Sequence, residues 1–354
     1  MTWIIVVTAI IVFLIVSLAI FCWRNAKRSL KPNTLTYEQE IAWNKSKGLW
    51  LDFDSYAKTE YEIKGKDGYV LHAMLVEKSA GRSGQDDRDN ASMRGTESLQ
   101  DNQSGRGTEF LQDNQSGRCN ESLQDNQFGH GTGKYVILCH GHTSNRYGSV
   151  KYLNSYIKLG FSCIIYDARS HGTNAPDICT LGNIESYDLK CVIDDTRARY
   201  SDLRVLGLHG ESMGSSASLS VVRFKPQIDF IVADCGFISC YDVVHDGYGN
   251  LHMAFLAPLI NLAGKIIYHV DLKETCALKC LENNTYPILF IHGAGDRLVK
   301  PYHSELLNAA ASANGAYTEL IMVEGAGHAR SRYTAGFETY TGYIEAFLKR
   351  IGVG

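Results

Sequence analysis

Short apolar runs that alternate with helical patterns limit this 354-residue chain to few folds. Strand and helix in such alternation predict a mainly parallel, doubly wound α/β sheet. Two shorter alternating runs around a Gly-Lys-Asp-Gly turn, Tyr61–Lys64 and Tyr69–Val76, predict an antiparallel hairpin at its start. Six runs have the length and continuous hydrophobicity of strands that are buried on both faces: Tyr135–Cys139, Ser162–Tyr166, Leu203–Leu208, Ile228–Ala233, Ile288–His292 and Thr318–Val323.

An uncharged apolar segment precedes this pattern. Thr2–Cys22 spans 21 residues, and a helix of that length reaches about 30 Å, the thickness of the bilayer hydrocarbon. We predict one transmembrane helix over 2–23 and a juxtamembrane segment over 24–60. A cleaved signal peptide is the alternative, but the N-terminus lacks its basic start and its small-residue cleavage site. Basic residues follow the helix and none precedes it, so the positive-inside rule predicts a single-pass protein with its C-terminal side in the cytoplasm.

Two further segments stand apart from the strand pattern. Three near-identical twelve-residue units at 95–130 each contain at most three apolar residues, which predicts a disordered insertion over 79–133. An inert surface insertion is favoured over a functional tract. The region 236–286 contains no strand pattern and is rich in apolar and aromatic residues, so we predict a helical cap there. A second membrane helix is the alternative, but Lys265 and two histidines interrupt the apolar stretch.

Composition narrows the possible functions. With 35 Lys+Arg against 38 Asp+Glu, the net charge of −3 excludes nucleic-acid binding through bulk charge. The 45% hydrophobic content excludes a wholly disordered chain. The ten cysteines show no regular framework and are interpreted as free thiols. Cys276 and Cys280 lack a second pair of ligands, so no metal site is predicted, and no cofactor is expected.

The strongest motif follows the predicted strand Leu203–Leu208. The chain continues as His-Gly-Glu-Ser-Met-Gly and then as a helix of small residues, which is the G-x-S-x-G pattern in a strand–turn–helix context. Gly210 and Gly214 permit a sharp turn in which a Cβ atom would collide, and this nucleophile elbow lifts the hydroxyl of Ser212 clear of the sheet. We predict that Ser212 is a nucleophile.

A serine nucleophile needs a base and a carboxylate that orients it. His328 follows the predicted strand Thr318–Val323, and Asp296 follows Ile288–His292. Both residues therefore lie at carboxyl ends of strands, where open α/β sheets place their sites. We predict His328 as the base and Asp296 as the acid, with Asp234 as the alternative acid.

The oxyanion of a tetrahedral intermediate needs two N–H donors. Met213, directly after the nucleophile, is predicted to supply one. The loop after Tyr135–Cys139 should supply the other, with His142 as the first choice and Thr143 as the second. The imidazole of His140 in the same loop is favoured as a structural hydrogen-bonding group over a second base.

These motifs resemble the α/β-hydrolase superfamily, in the branch called serine aminopeptidase-like or acyl-peptidase-like. The resemblance covers 61–354 outside the insertion and includes His140-Gly141, the run Asp167-Ala168-Arg169-Ser170-His171-Gly172, and His292-Gly293 before Asp296. The branch usually has D-x-R-x-H-G-x-S, and this chain has Asn174 at the last position. The resemblance implies an α/β-hydrolase fold, and it implies that Asp167, Arg169 and His171 brace the loops around the site.

The expected function is that of a membrane-anchored serine hydrolase acting on an ester or thioester. The substrate is expected to be a small-molecule or lipid-like acyl compound, with no nucleic acid and no obligate protein partner involved. A peptidase or amidase of the serine aminopeptidase type is the main alternative. A non-catalytic, hydrolase-like binding protein is the second alternative, because a fold does not determine a function.

Overall fold

The computed structural model describes residues 1–79, 133–274 and 276–353. The predicted insertion over 79–133, with the repeats at 95–130, lies outside the described residues apart from Ser79 and Gly133. The nine cysteines in the described part of the chain are free thiols, and six of them are buried.

Eight strands form one sheet in the described part of the chain. They are β1 (Ala57–Lys64), β2 (Val70–Glu77), β3 (Lys134–Cys139), β4 (Ser162–Tyr166), β5 (Val205–Glu211), β6 (Phe230–Asp234), β7 (Ile288–Gly293) and β8 (Thr318–Val323). Their order is β1-β2-β4-β3-β5-β6-β7-β8. Strand β2 is antiparallel to both of its neighbours, and every other neighbouring pair is parallel. The prediction of a mainly parallel sheet is therefore confirmed.

Strand β5 ends later than predicted, at Glu211 instead of Leu208. The polar residues His209 and Glu211 did not fit the apolar criterion for a buried strand. Both are nevertheless buried with partners, since His209 Nδ1 lies 3.0 Å from the Tyr156 hydroxyl and Glu211 forms an ion pair with Lys151. The strand consequently runs directly into Ser212.

Helices cover both faces of the sheet. Alternate strand residues such as Ile164 and Ile165 belong to two separate apolar cores, one on each face. The helices are α1 (Thr2–Leu30), α2 (Tyr37–Ser46), α3 (Val150–Lys158), α4 (Ile184–Arg199), α5 (Met213–Ser220), α6 (Cys240–Gly249), α7 (Leu256–Tyr268), α8 (Ala277–Cys280), α9 (Tyr302–Ser312), α10 (Ser331–Ala335) and α11 (Phe337–Arg350). Residues of α4 and α5 contribute to the first core, and residues of α3 and α11 contribute to the second.

Helix α1 is the one described helix that is long and apolar enough to cross a membrane. Its residues from Thr2 to Phe21 are exposed. The helix continues beyond the predicted end at residue 23 as far as Leu30, because Cys22, Ala26 and Leu30 lie on one face and are buried, and α1 packs along α7. The region 236–286, in which a cap is predicted, contains α6, α7 and α8.

Candidate active site

A strained turn joins β5 to α5 and carries Ser212. The φ of Ser212 is +53°, in the left-handed region that non-glycine residues rarely adopt. The glycines on either side leave no room for a side chain: a Cβ on Gly210 would lie 2.3 Å from the Gly214 carbonyl oxygen, and one on Gly214 would lie 2.1 Å from the Cys139 carbonyl oxygen. The turn thus has the geometry that the G-x-S-x-G pattern predicts.

The structure brings Ser212, His328 and Asp296 together in one chain of hydrogen bonds. Ser212 Oγ lies 2.9 Å from His328 Nε2, and His328 Nδ1 lies 2.7 Å from Asp296 Oδ2. With its proton on Nδ1, the imidazole donates to Asp296 and leaves Nε2 free to accept the proton of Ser212. This is the arrangement that activates a serine hydroxyl.

Asp296 is held as a carboxylate. Its Oδ1 accepts hydrogen bonds from the backbone N–H groups of Leu298 and Val299, at 2.9 and 3.0 Å. Burial alone would raise the pKa of Asp296, but hydrogen bonds from His292, His328 and the Val299 backbone hold the pKa well below its usual range. The group next to His328 is therefore negatively charged at neutral pH.

The alternative acid, Asp234, faces a different set of partners. It accepts hydrogen bonds from the hydroxyls of Tyr340 (2.8 Å), Ser331 (3.0 Å) and Tyr152 (3.3 Å), and none from His328 in the described structure. Burial, and secondarily the charge of Glu211, raise the pKa of Asp234 to about 6. The geometry favours Asp296 as the partner of His328.

The loop after β3 contains the two candidate oxyanion donors, His142 and Thr143, and their N–H groups differ in their hydrogen bonds. The Thr143 N–H donates to His171 Nε2 at 3.4 Å, and Thr143 has a φ of +67°. By contrast, the backbone N–H groups of His142 and Met213 donate no hydrogen bond within the described part of the chain. A Cβ on Gly141 would lie 3.6 Å from the Ser212 Cβ, so this loop lies against the elbow. The geometry therefore favours His142 over Thr143.

Both ring nitrogens of His140 are engaged in structural hydrogen bonds. Nε2 accepts from the Ala168 N–H at 2.9 Å, and Nδ1 lies 2.8 Å from the Gly141 carbonyl oxygen. Burial lowers the pKa of His140. A neutral ring with both nitrogens occupied has no free position for a second base, which favours the structural role.

The motif after β4 makes structural contacts near the site. Arg169 forms a paired interaction with Asp188 at 2.8 and 2.9 Å, and His171 Nδ1 lies 2.7 Å from the Arg169 carbonyl oxygen. Asp167 accepts a hydrogen bond from the Arg146 N–H at 2.8 Å. Asn174, which replaces the usual serine, donates to the Asp167 carbonyl oxygen at 2.7 Å. These contacts join the loops that follow β3 and β4.

A cavity of about 180 Å³ lies beside His328. Its walls are formed by Leu35, Glu40, Trp43, Ser144, Lys151, Glu211, His328, Ala329 and Arg330. None of these residues belongs to α6, α7 or α8, the helices of the predicted cap. Three of them come from the juxtamembrane segment, for which the sequence predicted no contact with the site.

A buried charge cluster forms one side of this cavity. Lys151 and Glu211 form an ion pair, and Glu40 Oε2 accepts a hydrogen bond from Ser144 Oγ at 2.8 Å. Burial alone would lower the pKa of Lys151, but the charge of Glu211 raises it. Burial raises the pKa of Glu40. The only sequence signal for this cluster is the glutamate that precedes Ser212 at the end of a buried strand.

The juxtamembrane segment is tied to the loop after β3. The Leu35 N–H donates to the Thr143 carbonyl oxygen at 2.8 Å, and Asn145 Nδ2 donates to the Leu35 carbonyl oxygen at 3.0 Å. The His142 ring lies 3.1 Å, through Nε2, from the Ser29 carbonyl oxygen, and burial lowers the pKa of this ring to about 4. The end of α1 and the segment after it thus support the loop that carries His142.

Comparison with known proteins identifies the family. The sequence model of the prolyl oligopeptidase family matches residues 181–351. The uncharacterized protein YqkD of Bacillus subtilis is 30% identical over 226 residues, which are 62% of this chain and 72% of YqkD. The uncharacterized membrane protein YNL320W of Saccharomyces cerevisiae is 24% identical over 154 residues, 43% of this chain and 50% of that protein.

Among solved structures, the esterase Pf2001 of Pyrococcus furiosus has the same fold. It superposes with a TM-score of 0.55 at 20% sequence identity, over 87% of this chain and 95% of Pf2001. The α/β-hydrolase fold expected from the sequence motifs is confirmed. The chain therefore belongs to the α/β-hydrolase superfamily, in the same family as YqkD, and it is a serine hydrolase.

Proposed function

We propose that the chain is a membrane-anchored hydrolase that cleaves a carboxylic ester or thioester through an acyl-enzyme formed on Ser212. The observation that carries this proposal is the hydrogen-bonded chain from Ser212 through His328 to Asp296. In the first half of the reaction, His328 Nε2 removes the proton from Ser212 Oγ, which attacks the substrate carbonyl carbon. The same proton is then given to the leaving alcohol or thiol as its bond to the carbonyl carbon breaks.

In the second half, a water molecule gives a proton to His328 Nε2 and attacks the acyl carbon. The bond to Ser212 Oγ breaks, the proton returns to the serine, and the carboxylic acid leaves. Asp296 keeps the imidazole in the tautomer that presents Nε2 and stabilises the imidazolium formed in each half. The N–H groups of Met213 and His142 receive the negative oxygen of both tetrahedral intermediates.

The cavity beside His328 is a partly open cleft that gives part of a substrate room next to the proposed base. Its volume of about 180 Å³ is below that of most small-molecule pockets, which hold roughly 300–1,000 Å³. A cavity of roughly 150 Å³ accepts a ligand of the size of benzene. Because this cleft is open on one side, its volume sets no limit on acyl length, which p-nitrophenyl esters of graded chain length measure directly.

The anchoring half of the proposal rests on α1. Its exposed apolar stretch has the length of a membrane span, and Arg24, Lys27 and Arg28 follow it as exposed basic residues. Under the positive-inside rule, this order supports a hydrolase domain on the cytoplasmic side. The name of the yeast relative, a membrane protein, supports an anchor over a cleaved signal sequence.

A peptidase is the second candidate, and the match of residues 181–351 to the prolyl oligopeptidase family favours it. The same nucleophile, base and oxyanion donors would cleave an amide, with His328 protonating the leaving amine. The two candidates differ in the substrate and share the same residues, so one experiment can compare them.

A fluorophosphonate probe, which reacts with activated serines, tests the proposal on the full chain in membranes. We expect labelling of the wild type at Ser212, no labelling of Ser212→Ala, and undiminished labelling of Ser201→Ala, in which an exposed serine far from the elbow is removed. Hydrolysis of p-nitrophenyl esters of graded chain length and of matched aminoacyl amides then separates esterase from peptidase. Equal labelling of the wild type and Ser212→Ala would contradict the proposal.

The Asn145→Ala variant tests the support of the loop after β3. Asn145 is buried, and its side chain donates to the carbonyl oxygens of Leu35 and Thr36 at 3.0 and 3.4 Å. Its removal lets the loop that carries His142 shift, and a displacement of about 1 Å can cost roughly a hundredfold in rate. We expect kcat for ester hydrolysis to fall about 10- to 100-fold. The exposed-site variant Asn314→Ala is the control; an unchanged kcat in Asn145→Ala would contradict the supporting role.

A further inference from the structure

An exposed apolar surface lies between α6 and α7. It comprises Leu251, Met253 and Phe255 in the connecting segment and Leu262 on α7; we call these four residues the apolar loop. Leu251 and Phe255 are each 65% exposed and Leu262 is 51% exposed. Phe255 and Leu262 are seven residues apart and lie on the same face of the helix, while Leu256 and Ile260 on the opposite face are buried. Exposed apolar side chains that follow so closely along one segment form a surface suited to an apolar environment.

The apolar loop is attached to α1 at the level where the predicted membrane span ends. The Phe21 and Tyr248 rings are 6.0 Å apart, and the Tyr248 hydroxyl donates to Asn25 Oδ1 at 2.6 Å. The N–H groups of Leu251 and Met253 both donate to the Tyr248 carbonyl oxygen, at 3.0 and 2.9 Å. The loop is thus held next to the last apolar turn of α1.

Helix α7 runs away from the end of the predicted membrane span. A Cβ on Gly264 would lie 3.8 Å from Leu30 Cδ1, so this part of α7 meets the far end of α1. Phe21 and Leu30 are separated along a helix axis by about 14 Å. Leu251 and Phe255 are therefore nearest to the membrane span, and Ile266, although 67% exposed, lies beyond Gly264.

Exposed basic residues follow directly on α1 after the apolar stretch. Arg24, Lys27 and Arg28 are exposed in the two turns after Phe21. Cations at this depth are attracted to the anionic headgroups of a cytoplasmic leaflet. Apolar side chains at the same level are stabilised at the boundary between headgroups and acyl chains. The apolar loop and these basic residues together have the composition of a surface that lies in a bilayer interface.

We infer that the apolar loop inserts into the interface of the same bilayer that α1 crosses, so that the hydrolase domain is held against the membrane at two places. This inference rests on the proposed membrane anchoring by α1. It adds a second contact, made by residues 251–262, that a flexible single-helix tether would not make. The domain then keeps one orientation relative to the lipid surface.

An apolar photoactivatable carbene probe tests this inference with the full-length wild-type chain. The protein is placed in vesicles of phosphatidylcholine and phosphatidylglycerol, the probe is partitioned into the hydrocarbon, and labelled residues are mapped by mass spectrometry. We expect labelling of α1 and of Leu251 to Phe255, weaker labelling of Leu262, and little labelling of Ile266. Leu306 on α9, which is 47% exposed, serves as the internal reference for an exposed leucine.

A charged variant sharpens the test. In Leu251→Glu/Phe255→Glu, we expect labelling at 251–262 to fall at least about fivefold while labelling of α1 is unchanged, because carboxylates are excluded from the apolar boundary. The matched variant Leu306→Glu should not alter either signal. All three replaced side chains are exposed, so the melting temperature should remain that of the wild type.

Two results would overturn the inference in distinguishable ways. Labelling of α1 without labelling of 251–255 above Leu306 would refute the second contact and leave the anchor intact. Cross-links between the 251–262 segments of two chains in that case would identify a second copy as the occupant. Absence of labelling at α1, with release of the protein by alkaline carbonate, would refute the anchor and the inference together.

Discussion

Replacing His328 with alanine should lower kcat for ester hydrolysis by about 10⁴- to 10⁶-fold. His328 Nε2 is 2.9 Å from Ser212 Oγ, and the described structure shows no other hydrogen-bond partner for that hydroxyl. Without the imidazole, no group at this position removes the serine proton or returns it to the leaving group. Steady-state kinetics with a short p-nitrophenyl ester measures the loss.

The double variant Ser212→Ala/His328→Ala provides the stricter test. Residues that act as a unit show strongly non-additive effects, so the double variant should be no slower than the worse of the two single variants. His245→Ala, in which an exposed histidine of α6 is removed, should retain wild-type kcat. Additive losses in the double variant would mean that Ser212 and His328 act in separate steps, contrary to the proposed mechanism.

The positions of Ser212 and His328 could be predicted because local rules determine them. Buried parallel strands are continuous apolar runs, and the residues that follow such runs meet at one edge of the sheet. β4 and β8 begin and end at the predicted residues, and Asp296 and His328 follow strands as expected. The glycines around Ser212 leave a recognisable pattern because no other residue fits their positions.

The walls of the cavity could not be predicted in the same way. Glu40 meets Ser144 across more than a hundred residues of sequence, and nothing in the local pattern around Glu40 indicates this contact. Lys151 and Glu211 are charged residues in elements otherwise recognised by their hydrophobicity, and they are buried as an ion pair. Contacts of this kind follow from tertiary packing, which single-sequence periodicity does not contain.

Asp296→Asn should lower kcat by about 10⁴-fold, and Asp234→Asn should lower it far less. The amide in Asp296→Asn cannot hold the His328 tautomer in which Nδ1 carries the proton, so Nε2 is no longer available as the base. Asp234 is bonded to the hydroxyls of Tyr340 and Ser331 instead of to His328. The ratio of the two effects, measured on the same ester, therefore distinguishes the two candidate acids.

The pH dependence of stability gives the same pair of variants an independent readout. Asp296 has a lowered pKa in the folded state, so its contribution to stability is present above its unfolded pKa and is lost as the pH falls. Asp234 has a pKa raised to about 6, so its contribution is present at low pH and is lost as the pH rises through about 6. As the pH rises from about 4 to about 7, the melting temperature of Asp234→Asn should therefore rise relative to that of the wild type, and Asp296→Asn should show no such gain. Two results together would assign the role of the acid to Asp234 instead of Asp296. They are a large loss of kcat in Asp234→Asn, and a melting temperature of that variant that depends on pH as the wild type's does.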